Sequence, residues 1–418
     1  MKQAAKNALK HPLIYGSTIV VFGGLLANLF NFLFGFFMVR NLSVAEYGTL
    51  LSIITMVTFP ALLANAVNPV VIRTAGSFFA KGDLSSVRGL YIKFTQFFLL
   101  LGVVGFLIFF LFLPSVADFF RIKDHFILIE ANIIMFLALM AIINTAFLQA
   151  KLAFGFTVTI NFISAVTKFT LGILFVVLGY SLHGAVGALV ISSGLLYLLG
   201  FLPLRFVFSR KLVTPKIDIK ELFVYGIPSA LTVIGLTSFI SADILFAKHF
   251  FNPVDAGLYA GLSQIGRIIF YLTAPICGVM FPIIVRKHSM KEDFSNTFKL
   301  ALLFILGPSL LITAFYFIFP DFTILFFLKK AEYLSVVPLL GFFGLYITAY
   351  CLLYLLATFY LSIKKTNVYF PILAGALLQI ALIYVYHQTI QQIVTISFSI
   401  VLLLVIGFLL YYPYATKK

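Results

Sequence analysis

The sequence predicts an all-α polytopic membrane protein, with about twelve transmembrane helices in two six-helix lobes related by a parallel repeat. Three observations predict it. Of the 418 residues, 62% are apolar and 10% charged, against roughly 45–50% and 25% in a soluble domain. The charges punctuate apolar runs of about 20 residues, the length that crosses a bilayer core. A stretch opening at Tyr15-Gly16 also recurs from Tyr225-Gly226, 210 residues on.

In chain order the expected spans are Leu13–Met38, Gly48–Ile72, Phe94–Leu113, Phe126–Leu148, Phe156–Leu178, Gly184–Val207, Leu222–Ala247, Gly257–Val285, Phe298–Phe319, Val336–Ile363, Val368–Tyr386 and Ile390–Tyr412. Each half has an even number of spans, so both enter the membrane in the same orientation. The lobes are expected at 1–208 and 222–418, joined by a basic linker at 209–221. The duplication is sharpest where the first two spans of each half meet. The first hinge, Arg40 to Gly48, presents a cation, Asn41, Glu46 and a Gly that opens the next helix. The second, Lys248 to Gly257, presents a cation, Asn252, Asp255 and again a Gly. Both second spans carry two prolines, Pro60 and Pro69 in one, Pro275 and Pro282 in the other.

The formal charge of +16 is topological. With the N-terminus inside, the even loops and tails hold 21 Lys and Arg and the opposite loops 6. That bias places both termini of the multi-pass protein in the cytoplasm. No loop is long enough to present the basic face that nucleic-acid binding needs. The two cysteines, Cys277 and Cys351, fall inside spans without metal-ligand spacing, and no P-loop is present. Neither a cofactor nor a metal site is expected.

Ionisable residues inside spans are costly and usually face a bundle interior or a wet cavity. Arg267 sits about 15 Å into the eighth span by helix rise. It cannot shed its proton, so it needs an anion or other acceptors. It reads as a phosphate clamp, against a structural pair with a carboxylate. Asp243 is about 10 Å shallower by the same reckoning, which argues against direct pairing with Arg267. It faces Lys248 or the outer mouth, or takes up a coupling proton or cation. Glu130, near the outer end of the fourth span, is the second ion-coupling candidate, against a simple interfacial role. Lys168, Arg40 and Arg73 are candidates for headgroup entry or exit, against internal bonding for the first and anchoring for the others. Asn28 and Asn31 share one face of the first span, and Asn65 and Asn68 repeat the spacing on the second. With Ser241 and Gln264 on the seventh and eighth spans, they suggest a hydrated cavity able to bond sugar hydroxyls; interhelical glue needs the same residue types.

The hinge Arg40-Asn41-Leu42-Ser43-Val44-Ala45-Glu46-Tyr47-Gly48, the stretch Pro253-Val254-Asp255-Ala256-Gly257-Leu258-Tyr259 and the loop Ala80-Lys81-Gly82-Asp83 resemble those of polysaccharide repeat-unit flippases. These are the O-antigen and capsule translocases of the multidrug/oligosaccharidyl-lipid/polysaccharide exporter superfamily. The resemblance covers the whole chain in length, span number and duplication. It implies two lobes with the first, second, seventh and eighth helices lining a cationic cavity, which includes Arg267 and leaves Lys168 out. It implies a non-enzymatic flippase that moves undecaprenyl-diphosphate-linked oligosaccharide, a lipopolysaccharide or capsule precursor, by alternating access. Its partners would be that glycan lipid, the bilayer, a proton or sodium counter-ion and polysaccharide assembly proteins. Relatives that flip the peptidoglycan precursor carry charges midway along the first helix, where this chain has Asn28 and Asn31. The alternatives are a multidrug or other small-molecule exporter, which wants acids in its cavity, and a membrane glycosyl polymerase or ligase, which wants a sizeable outer loop.

Overall fold

The computed structural model describes residues 12–208 and 227–416, so the linker at 209–221 lies outside the described residues. All regular structure in them is helical. The helices are α1 (Pro12–Asn41), α2 (Val44–Ala80), α3 (Leu84–Leu111), α4 (Leu113–Phe120), α5 (His125–Ala150), α6 (Phe154–Phe175), α7 (Ser181–Leu199) and α8 (Ile227–Phe239). They continue as α9 (Ala242–Phe250), α10 (Pro253–Gly266), α11 (Ile268–Ser289), α12 (Ser295–Ile318), α13 (Pro320–Leu328), α14 (Val337–Ser362), α15 (Tyr369–Val385) and α16 (Ile390–Thr416).

By length and apolar composition, nine helices among the described residues pass as membrane-crossing, or ten with one bent pair taken as a single span. One of the nine, Phe154–Leu199, holds two expected spans. A π turn at Val176–Tyr180 interrupts it, and Gly179 there has φ 93°, a left-handed value that side chains resist. The chain reverses at that turn, and α6 packs back along α7. Counted this way, and with α2 added, all twelve expected spans have a helix or a helix pair. Leu100, Leu111, Leu311 and Leu410 are exposed, as a lipid-facing surface requires.

Cap chemistry explains the duplicated hinges. In the first, the Ser43 N–H and hydroxyl donate to Glu46 Oε2 at 2.9 and 2.7 Å, and the Glu46 N–H donates back to Ser43 Oγ at 3.2 Å. This is a capping box at the start of α2. In the second, Asn252 Oδ1 accepts from the N–H groups of Val254 and Asp255 at 3.0 and 2.9 Å, and its amide donates to Asp255 at 2.6 Å. The cap in the first hinge is therefore Ser43; Asn41 ends α1. At the start of α3, Asp83 accepts from Ser86 N at 3.0 Å and from its hydroxyl at 2.5 Å. Those bonds hold its carboxyl below the ordinary range.

The chain forms two compact units, Met1–Met38 with Val57–Gly226, and Val39–Met56 with Ile227–Lys418. In the first, Tyr91, Phe94, Phe98, Met140, Phe147 and Leu148 build a core from α3 and α5. The Tyr91 hydroxyl donates to Asn144 Oδ1 at 2.6 Å, and the Asn144 amide donates to Tyr197 O at 2.9 Å. In the second unit α14 is the central helix, with Phe343, Tyr346, Tyr350 and Tyr360 all buried.

The division differs from an equal split of six and six spans by the segment 39–56, and the second unit shows why. The Arg40 guanidinium donates to Phe327 O at 2.9 Å and to Phe326 O, at the end of α13. The Lys330 ammonium donates to Leu42 O. The buried Lys248 ammonium donates to Thr49 Oγ1 at 2.9 Å. The repeat glycines, Gly48 and Gly257, meet face to face, so close that a Cβ on Gly48 would lie 2.9 Å from Gly257 Cα.

Candidate functional site

Two polar centres stand out, one inside each unit. In the first unit, Asn28 and Asn31 on α1 line a cavity of about 480 Å³, with Gln149, Thr157 and Asn161 from α5 and α6. Each amide offers two donors and a carbonyl acceptor, so the wall is suited to hydroxyl-rich ligands. Two glycines shape it. A Cβ on Gly23 would fall 1.9 Å from Val158 Cγ1, so its absence lets α1 close against α6. Gly24 has open space beside it.

Lys168 is bonded to one of the residues that line this cavity. Its ammonium donates to Asn31 Oδ1 and lies 5.0 Å from the Phe34 ring centroid, within cation–π range. Asn161 and Lys168 are seven residues apart on α6 and share a face. α6 lines this cavity through Thr157, Val158 and Asn161, and the cation bonded to Asn31 comes from the same helix. That spacing was the available signal, and Asn161, Gln149 and Thr157 were missed because a single polar residue per turn reads as ordinary helix.

The second centre is buried. Asp243 is fully buried and Arg267 is 8% exposed. The Arg267 Nη2 lies 3.3 Å from Asp243 Oδ1 and also donates to Ile240 O. The Tyr259 hydroxyl donates to Asp243 Oδ2 at 2.7 Å. The depth estimate that argued against this pair assumed one straight seventh span ending at Ala247. The helix instead runs to Phe250, and the span breaks at Ile240–Ser241 with a 43° bend.

Side chains from elsewhere hold that break open. Tyr346 and Gln379 donate to Phe239 O at 2.5 and 3.1 Å, and Tyr350 donates to Leu236 O at 3.1 Å. Backbone carbonyls freed at membrane depth must be satisfied within the protein. Arg267, at the junction of α10 and α11, serves the same purpose for Ile240. In this structure the Arg267 guanidinium is paired with a buried carboxylate instead of facing an open anion site.

The remaining candidates divide. Ser241 and Ser263 are buried in the second unit, so the polar faces of the seventh and eighth spans turn inward there. Gln264 is half-buried. Arg40 donates to the carbonyls at the end of α13. Glu130 lies 3.6 Å from His183 Nδ1, and the opposite ring nitrogen lies 2.9 Å from Asp124. Sequence reading gave that histidine no role. The side chains of Asn65, Asn68 and Arg73 lie outside the described residues. Among the described residues, no cluster of three or more His, Cys, Asp or Glu has metal-ligand geometry.

A family profile described as "Polysaccharide biosynthesis protein" matches residues 37–338. No curated protein matches the chain. Among solved structures, the lipid II flippase MurJ in an inward-closed conformation superposes with TM-score 0.71 at 13% identity, covering 93% of this chain and 86% of that one. An inward-facing multidrug resistance transporter of the MATE family gives 0.69 at 14% identity, covering 93% and 94%. A MOP superfamily transporter from Pyrococcus furiosus, whose binding pocket is described as reversed in polarity, gives 0.61 at 14%, covering 97% and 96%. At such identities these likenesses establish the fold, that of MOP superfamily transporters, and the profile match establishes the kinship. The chain belongs to the polysaccharide biosynthesis protein family.

Proposed function

We propose that the protein is a flippase that carries undecaprenyl-diphosphate-linked oligosaccharide across a bacterial inner membrane by alternating access. The observation that carries the reading is the amide-lined cavity of the first unit with Lys168 bonded to Asn31. Sugar hydroxyls both donate and accept, which is what amides match. The diphosphate calls for a cation, and Lys168, an intramembrane cation of that unit, donates to a neutral amide rather than to a carboxylate. The cavity wall holds no carboxylate, which disfavours a cationic drug as cargo. The described connections between helices are short, which disfavours a glycosyl polymerase or ligase. The lipid tail stays in the bilayer, and no covalent chemistry is required.

The test uses vesicles reconstituted with the protein and a fluorescent undecaprenyl-diphosphate-linked glycan, with headgroup accessibility as the readout. Wild type equilibrates the label between leaflets. Gly24→Phe places a ring in space that is open next to the backbone, and replacing a mid-helix glycine does not weaken the helix. The variant is expected to fold with an unchanged melting midpoint and to lose translocation. Equal translocation by Gly24→Phe and wild type contradicts the proposal, as does transport of organic cations in place of the glycan.

A further inference from the structure

A second cavity, of about 620 Å³, lies in the other unit, where α14 ends and α15 begins against the last turns of α16. Its rim is cationic: Lys364 and Lys365, both exposed, occupy the turn after α14. Lys364 has φ 62°, and the two backbone N–H groups fold back onto Leu361 O and Tyr360 O at 3.2 and 2.9 Å. Its wall is apolar, formed by Leu403, Gly407, Phe408 and Tyr411 of α16. The Tyr360 hydroxyl donates to Phe408 O at 2.5 Å, so the end of α14 is tied to that wall. The cavity contains no carboxylate.

We infer that this cavity binds an anionic phospholipid, with the phosphate at Lys364 and Lys365 and the start of one acyl chain along Leu403 and Gly407. The rim lies where two spans end, the level of lipid headgroups. From Tyr411 to Leu403 the wall descends about 12 Å toward the bilayer centre at the rise of an α-helix. The charge asymmetry along the chain assigns this rim to the cytoplasmic side, where basic pockets between transmembrane helices meet anionic headgroups. A soluble anion would use the lysines and leave the wall wet. A lipid uses both. Gly407 matters because a Cβ there meets nothing within 4 Å, which leaves room for a chain beside the helix. None of these residues belongs to the amide cavity, so this site stands apart from the transport reading.

The test is binding of phosphatidylglycerol and phosphatidylcholine to the detergent-purified protein, by native mass spectrometry and by the shift in melting midpoint. Inorganic phosphate alone serves as the third arm. Wild type should retain phosphatidylglycerol in preference. Lys364→Ala with Lys365→Ala should weaken phosphatidylglycerol about 25-fold, at about fivefold per basic residue near an anionic headgroup, and leave phosphatidylcholine unaffected. Gly407→Phe, which fills open space, should weaken both lipids. Phosphatidylglycerol retained as in wild type by either variant overturns the inference. Stabilisation by inorganic phosphate equal to that by the lipid overturns it as well.

Discussion

Arg267→Met is expected to destabilise the protein by about 3–5 kcal/mol, the cost of leaving one member of a buried pair uncompensated. Asp243 is fully buried, and without the guanidinium it keeps the Tyr259 hydroxyl and the Ile244 N–H. The Ile240 carbonyl loses a donor at the same time, in a place where water does not replace it. The double variant with Asp243→Asn removes both charges and should recover more than half of the loss. Thermal unfolding in detergent reads both effects. An Arg267→Met variant that melts like wild type but fails to transport would restore the substrate-clamp role that the buried pair argues against.

Gly257→Ala is the second large expected effect. A methyl group there would sit 1.9 Å from the carbonyl oxygen of Val44 and 2.5 Å from its carbonyl carbon. Those are backbone atoms at the start of α2, so no rotamer change relieves the overlap. Overpacking of this kind costs about 1–3 kcal/mol, and the start of α2 must withdraw from α10. The segment is also held by Lys248 on Thr49 and Lys330 on Leu42, so the helix start should loosen without unfolding the unit. With Ala45→Cys as reporter, a membrane-impermeant maleimide should label the Gly257→Ala background faster than the parent. Gly48→Ala, whose nearest contact is 2.9 Å, should show the same change more weakly. Equal labelling of all three would mean that the glycine contact does not hold the segment.

The parts of this fold that local chemistry decides were legible in the sequence. Apolar run length marks a span wherever it occurs, and Ser43 to Glu46 and Asn252 to Asp255 cap helices through neighbours three residues away. Asn28 and Asn31 reach one cavity because three residues on a helix keep to one face. The parts set by distant contacts were not legible. The break at Ile240–Ser241 is held by Tyr346 and Gln379, 107 and 140 residues along the chain from Phe239. A depth reckoned from uniform helix rise could not anticipate it, and so separated Asp243 from Arg267. Likewise nothing local tells the segment 39–56 to pack with the second half; that follows from its own glycine meeting the repeat glycine, and from cations whose acceptors lie far along the chain.

The central claim is that the amide cavity of the first unit receives the glycan diphosphate and that Lys168 is its cation. Binding of undecaprenyl-diphosphate-linked glycan to purified Lys168→Met, measured beside the melting midpoint, tests it most directly. Affinity should fall about ten- to a hundredfold, the worth of a hydrogen bond to a charged group, with the midpoint unchanged. Wild-type affinity in Lys168→Met, or a lost affinity that merely follows a lost fold, would contradict it.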